Sequence, residues 1–92
     1  MTCAFCERQV LVTTRHHLIP RKTHSKKKIR KRFSKEERNE TVDFCLDCHK
    51  TVHKFYGEME LAISFNTLDL LLESPKLNNY KIWIVNQREG IV

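Results

Sequence analysis

No stretch of this sequence stays apolar for more than a few residues, so none of it is long enough to cross a bilayer as a helix. Nor does an apolar run follow the opening Met1-Thr2-Cys3, which is what a secretory signal would require; a cytoplasmic, reducing location is expected. No internal repeat is visible. Acidic residues are scarce in one place above all: residues 21–38 hold two Glu against ten Lys and Arg, a local excess of +8. Asn, Gln and aromatic side chains are also nearly absent from that run, so strong sequence specificity is not indicated.

What is present is a chain of 92 residues with a net charge of +6 at pH 7. That length makes a single domain, residues 1–92, whose own core leaves it only marginally stable, so a metal clip would matter. Outside residues 21–38 the balance is −2, so the whole positive excess sits in that one basic insertion. Such an excess favours a polyanionic partner without identifying it.

The coarse secondary structure is mixed. Gln9-Val10-Leu11-Val12-Thr13-Thr14 reads as a short strand closed by Pro20, and Thr41-Val42-Asp43-Phe44 alternates as a second. From Leu46 to about Tyr56 the spacing of Val52, Phe55 and Tyr56 is helical, with Gly57 as a stop. Thr67 to Glu73 predicts a helix capped by Asn66 or Thr67, and Ser74-Pro75 suits the start of another. The last segment, with Leu77, Tyr80, Ile82, Trp83 and Ile84, fits helix or strand and is taken as helix, so residues 58–92 form a helical extension.

Cys3-x-x-Cys6 and Cys45-x-x-Cys48 are separated by 38 residues. Each pair, held in a tight turn, can present two thiolates to one ion, and two such turns complete a tetrahedron. Four soft ligands favour zinc or iron, and zinc is the redox-silent choice for a structural site. The rival readings are two disulfides or inert buried cysteines; a reducing compartment argues against disulfides, and the lack of a βαβ context argues against a redox pair.

Four of the five histidines fall in two groups. His49 directly follows Cys48, and His53 lies four residues on, so on a helix both point the same way and could share an ion. His16 and His17 end the first strand, where neighbours face opposite sides; one can ligate a metal while the other faces a substrate. His24 lies inside the basic run and is expected to be solvated.

The order Cys-x-x-Cys, His16-His17-Leu18-Ile19-Pro20, Cys-x-x-Cys-His49 resembles the zinc-stapled branch of the HNH endonucleases, over residues 3–53. The resemblance implies an α+β fold of the ββα-metal (His-Me finger) type, a hairpin packed on a helix with a catalytic divalent ion between them. It implies His17 as general base, with His16 and His49 as ligands of that ion; His16 stands where many relatives have Asp. His53 matches an additional ligand of colicin-like nucleases. The Asn that gives the family its middle letter commonly falls five residues before the second cysteine pair, which is Glu40 here; Asn39, one residue earlier, is expected to take that role through a shifted turn, leaving Asn39 and Glu40 as alternatives.

Phosphodiester hydrolysis needs an activated water, charge relief on the phosphate and a stabilised leaving oxygen. A histidine of near-neutral pKa suits the first, and one cation (Mg²⁺, Mn²⁺, Ni²⁺ or Zn²⁺) the others. The resemblance further implies double-stranded DNA as partner and products with 5′-phosphate and 3′-hydroxyl ends. Arg21, Lys22, Lys26, Lys27, Lys28, Arg30, Lys31 and Arg32 are then candidate phosphate contacts, with Phe33 either stacking on a base or anchoring the loop. A non-catalytic zinc-ribbon module binding nucleic acid would use the cysteines and the basic run but gives the four histidines no common task. A protein-interaction adaptor would use Leu70, Leu71, Leu72 and Trp83, which cover the helix more simply.

Overall fold

A computed structural model describes all residues, 1–92, as one α+β unit. Two antiparallel strands, β1 (Thr13–His17) and β2 (Thr41–Cys45), pair in a register that sets His16 opposite Val42 and His17 opposite Thr41. Between them runs the basic insertion, and directly after β2 comes helix α3 (Leu46–Phe55). The junction has no loop because Cys45 ends the strand and caps the helix, its sulfur accepting from the Cys48 N–H at 3.4 Å.

The first strand starts later than its sequence predicts. Of Gln9–Thr14 only Thr13 and Thr14 belong to β1; Gln9 forms an isolated bridge with Thr2. The chain before β1 must double back so that Cys3 and Cys6 share one centre, and it does so as a miniature hairpin. Its bonds are Cys3 N–H to Arg8 O at 3.1 Å and Val10 N–H to Met1 O at 2.7 Å. At the turn Glu7 takes a left-handed φ of 64°, which costs a non-glycine residue about 1 kcal/mol.

The basic insertion is helical rather than an open loop: a 3-10 turn (Arg21–Thr23), α1 (Lys27–Arg32) and α2 (Lys35–Arg38). Ser34 and Glu37 form a reciprocal capping box at the start of α2. The insertion is anchored by its own small core, in which Ile19, Ile29 and Ala62 are buried and Phe33, Met59 and Ile63 pack against them. Phe33 is therefore an anchor, with the Arg32 guanidinium 5.1 Å from its ring.

Helix α3 ends at Phe55, just before its expected stop at Gly57, and Gly57 also caps the next helix, α4 (Glu58–Ser64), with an ordinary φ of −71°. Thr67 caps α5 (Leu68–Glu73) through the Leu70 N–H, and Ser74 caps α6 (Pro75–Ile84) through the Leu77 N–H, with Pro75 in the first turn. The Tyr56 hydroxyl also hydrogen-bonds Ser74. These helices close the main core of Phe5, Phe44, Val52, Leu61, Leu71, Leu77, Tyr80 and Ile84. Phe5 meets Phe44 edge to face at 5.8 Å, tying the cysteine hairpin to the sheet. No helix is long and apolar enough to cross a membrane.

Candidate functional site

The two cysteine turns meet. Cys3, Cys6, Cys45 and Cys48 are all buried, none is in a disulfide, and their sulfurs lie within 4.8 Å of one another. Cys6 Sγ and Cys45 Sγ are 3.9 Å apart, far beyond an S–S bond of about 2.05 Å. Four Zn–S bonds of about 2.3 Å in a tetrahedron put the sulfurs about 3.8 Å apart, so the cluster has the dimensions of a zinc cage. These four residues can hold one metal ion such as zinc.

The donors around the sulfurs fit thiolates. Arg8 gives its Nε–H to Cys6 Sγ at 3.2 Å and an Nη2–H to Cys45 Sγ at 3.3 Å, so one guanidinium touches both turns. The Tyr80 hydroxyl donates to Cys48 Sγ at 3.4 Å. Without an ion a single thiolate is favoured among neighbours that keep their protons: hydrogen bonds from Cys45 and Cys48 hold Cys3 well below the usual thiol range. The Cys3 thiolate in turn pushes Cys45 up to about 11 and Cys48 higher. A divalent ion removes that mutual repulsion.

Arg8 also pairs with Asp47, which is 1 % exposed, at 3.1 Å, and donates to the Gln87 carbonyl at 3.0 Å. The carboxylate accepts further from the N–H groups of Gly90 (2.8 Å) and Val92 (3.0 Å), while Glu89 takes the Leu11 N–H at 2.7 Å. The C-terminal tail thus wraps the cysteine centre. Burial opposes ionisation of Asp47, but the Gly90 N–H and the Arg8 guanidinium outweigh it and keep its pKa below the ordinary carboxylate value. Removing one partner of a buried ion pair costs about 3–5 kcal/mol. Arg8→Met is therefore expected to lower stability by about 3 kcal/mol and to speed zinc release to a chelator, read with a chromogenic zinc indicator; unchanged release would show the guanidinium to be a bystander.

Three histidines form a second cluster. His16, His49 and His53 place their ring nitrogens within 4.8 Å of one another, with ring centroids 5.1–5.3 Å apart. The cluster exists because α3 follows β2 without a loop and packs on β1, setting the i and i+4 histidines against the inward residue of that strand. His16 is wholly buried, stacked on Phe44 at 4.9 Å, and neither of its ring nitrogens has a hydrogen-bond partner. Such a group is costly to bury unless something takes up its lone pair. Thr14 orients His49: its hydroxyl is 2.7 Å from His49 Nδ1 and donates to the Phe44 carbonyl at 3.3 Å. With the hydroxyl proton so committed, Nδ1 carries the imidazole proton and Nε2 is left as a ligand. Glu58 Oε1 stands 3.7 Å from His53 Nδ1.

Burial, reinforced by His49 and His53, lowers the His16 pKa to about 3. A depressed histidine pKa means that the unfolded chain takes up a proton more readily, so this contribution to stability is full above about pH 6.5 and is lost as pH falls toward 3. By pH 5.5 the loss is about 1.4 kcal/mol. Urea midpoints of the wild type and His16→Phe between pH 7.5 and 5.5 check this: the wild type is expected to lose that much more than the variant, and equal losses would refute it.

His17 lies outside this cluster, on the strand face opposite His16, and is partly exposed beside His24, ring to ring at 5.9 Å. It lines an open pocket of about 200 Å³ together with Arg15, Pro20, Arg21, Lys22, His49, His53 and Glu58. Burial, then the charges of His24, Arg21 and Arg15, hold its pKa below the ordinary histidine value. His24 is not a free solvated side chain: its Nε2 is 2.7 Å from the Ile19 carbonyl, folding it across the loop after β1.

Other expected positions lie elsewhere. Lys26, Lys27, Lys28, Arg30, Lys31 and Arg32 are exposed on and beside α1, outside the pocket that Arg21 and Lys22 line. Asn39 is an exposed residue ending α2, and neither it nor Glu40 lines the histidine pocket. The loop carrying His17 is braced instead through the main chain, Leu18 N–H donating to Glu40 O at 3.2 Å. Arg8, Thr14, Arg15, Asp47, Glu58 and Tyr80 carried no spacing signal, since each reaches its site by tertiary packing.

No family model matches the chain, and no solved structure matches it. A relative from Bacillus subtilis (strain 168), described as uncharacterized protein YisB, is 32% identical over 88 residues, covering 92% of this chain and 74% of the relative. On that identity and coverage, the chain belongs to the same family as YisB.

Proposed function

We propose that this protein is a metal-dependent endonuclease of the HNH kind, hydrolysing DNA phosphodiester bonds, with β1, β2 and α3 as its ββα-metal unit. The observation that carries the proposal is His16: a fully buried imidazole with both nitrogens unpartnered, in ligand reach of His49 and His53 and one residue from a histidine that faces a polar pocket. A structural role alone would leave that polar ring an uncompensated cost.

The three imidazoles suit a transition ion better than Mg²⁺, and their donor set fits one ion with positions left open toward the pocket. Such an ion would supply charge relief on the phosphate and on the departing oxygen. The protein's own side chains do the rest. His17, its pKa held low, is neutral at pH 7 and can accept a proton at a ring nitrogen from an attacking water. The Leu18–Glu40 main-chain bond and the His24 contact with Ile19 steady the loop that bears it. Thr14 keeps His49 in the ligating tautomer. Lysines and arginines on α1, anchored by buried Ile29, offer a basic surface for the phosphate backbone, with weak sequence preference.

Incubation of supercoiled plasmid with Mg²⁺, Mn²⁺, Ni²⁺ or Zn²⁺ tests the reading. Nicked and then linear product is expected, most with the transition ions, and EDTA should abolish it. DNA binding without cleavage in any ion would replace this proposal with a non-catalytic zinc-dependent binder.

A further inference from the structure

The histidine pocket has a second wall, and its chemistry is as specific as that of the metal side. Arg15, Arg21 and Lys22 line it against a single carboxylate, Glu58, and Pro20 is the one apolar residue in its wall. Arg21 and Lys22 come from the 3-10 turn of the basic insertion, whereas Arg15 comes from β1 itself, two residues before His17 and so on the same face of the strand. Because the sheet has only two strands, β1 is an edge, and side chains from one face of it share a pocket with His49 and His53 of α3.

Arg15 stands directly across from Asp43 in the strand register, where an arginine opposite an aspartate would ordinarily form a cross-strand ion pair. It does not. The ion pairs of Lys and Arg in the molecule are Arg8–Asp47 and Lys81–Glu7, and Glu58 lies nearest His53, which leaves Arg15, Arg21 and Lys22 without a carboxylate within ion-pair distance. A guanidinium that forgoes an available aspartate and lines a pocket with two further cations is placed to receive an anion. Its fork matches two oxygens of a phosphate, a geometry lysine cannot reproduce.

We infer that Arg15, with Arg21 and Lys22 beside it, is a phosphate-binding residue that holds the non-bridging oxygens of the scissile phosphodiester against His17 and the His16–His49–His53 cluster. This deepens, and rests on, the nuclease reading, but it separates two kinds of cation. The α1 residues outside the pocket attract a polyanion of any length, whereas Arg15 grips one phosphate and acts on small phosphodiesters as well.

The test uses the whole zinc-loaded protein and two probes. Binding of inorganic phosphate, without added divalent ion, is followed by calorimetry. Hydrolysis of bis(4-nitrophenyl) phosphate in Mn²⁺ reads the pocket without the DNA backbone. Arg15→Ala is expected to weaken phosphate binding and to lower kcat/KM for the diester, each by about tenfold or more, as loss of a charge-assisted anion contact does. Arg15→Lys should fall between, and Arg88→Ala, an equal change of charge outside the pocket, should match the wild type. Ni²⁺ uptake by the histidines should be unchanged in Arg15→Ala, which shows the cluster intact. Phosphate binding that is absent from the wild type, or equal in Arg15→Ala and the wild type, overturns the inference. If the wild type binds phosphate through Arg15 but hydrolyses no diester in any ion, the anion site stands and the nuclease reading falls.

Discussion

Cys3→Ser or Cys45→Ser is expected to cost the protein both its zinc and its cooperative unfolding transition. The chain is short, and its main core is closed by the cysteine hairpin: Phe5, between Cys3 and Cys6, packs on Phe44 and Tyr80. Phe5 and Arg8 hold residues 1–10 against the sheet from two sides, and a bound ion would join the two cysteine turns between them, so its binding energy adds to the folding energy. For a four-thiolate site that energy is about 10–16 kcal/mol, equal to or larger than the whole stability of a typical small domain. Cys45 has a second task as cap of α3, so its loss also frees the start of the helix that carries His49 and His53. About one zinc per chain by mass spectrometry of the metal, with a sigmoidal melt by circular dichroism, is expected for the wild type and neither for the variants. A chelated protein that still melts cooperatively would show that the cysteines are packing residues only.

The neighbouring histidines are expected to fail in different ways. His17→Ala touches a partly exposed ring outside both metal-ligand clusters, so fold, zinc and DNA affinity should persist while cleavage falls at least about a hundredfold. His16→Ala removes a buried ring from between Phe44, His49 and His53 and should weaken the second metal, with partial rescue by excess ion. His16→Asp is the sharper experiment. It replaces an imidazole by a hard oxygen ligand, which should move preference from Ni²⁺ or Zn²⁺ toward Mg²⁺. On the proposed HNH reading it also restores the residue common at that position in the family, so Mg²⁺-dependent nicking should be kept or improved. Plasmid nicking by the three variants across the four ions decides the matter. A His17→Ala protein that cleaves like the wild type, or a His16→Asp protein inactive in every ion, would break the proposed division of labour.

Much of this could be read from local pattern. The spacing of the four cysteines anticipated their convergence, since two Cys-x-x-Cys turns have few ways to satisfy four soft ligands other than a shared ion. Alternation separated His16 from His17, and helical period joined His49 to His53, because both are properties of the backbone over a few residues. Caps and proline likewise placed α5 and α6. The errors fell where local preference met a tertiary demand. Gln9–Val12 has strand-forming residues, yet the need to bring Cys3 beside Cys48 turns that stretch into the return arm of the knuckle. Gly57 does follow the end of α3, as a stop would, and what the sequence did not show is that it also caps α4 with an ordinary φ of −71°.

The sequence by itself thus determined which residues could carry chemistry: four thiols, four paired histidines and a basic run, each recognisable because its spacing matches a turn, a strand or one helical repeat. Only the tertiary structure decided how they are served. Arg8 reaches the sulfurs of Cys6 and Cys45 and the carboxylate of Asp47, the C-terminal tail closes on that same carboxylate, and Arg15 turns from Asp43 to line the pocket of His17. Those partners lie up to 45 residues apart along the chain and obey no period. They meet because the cysteine turns, the strand pair and the helices pack together to bury their apolar faces, and that condition belongs to the whole chain rather than to any segment of it.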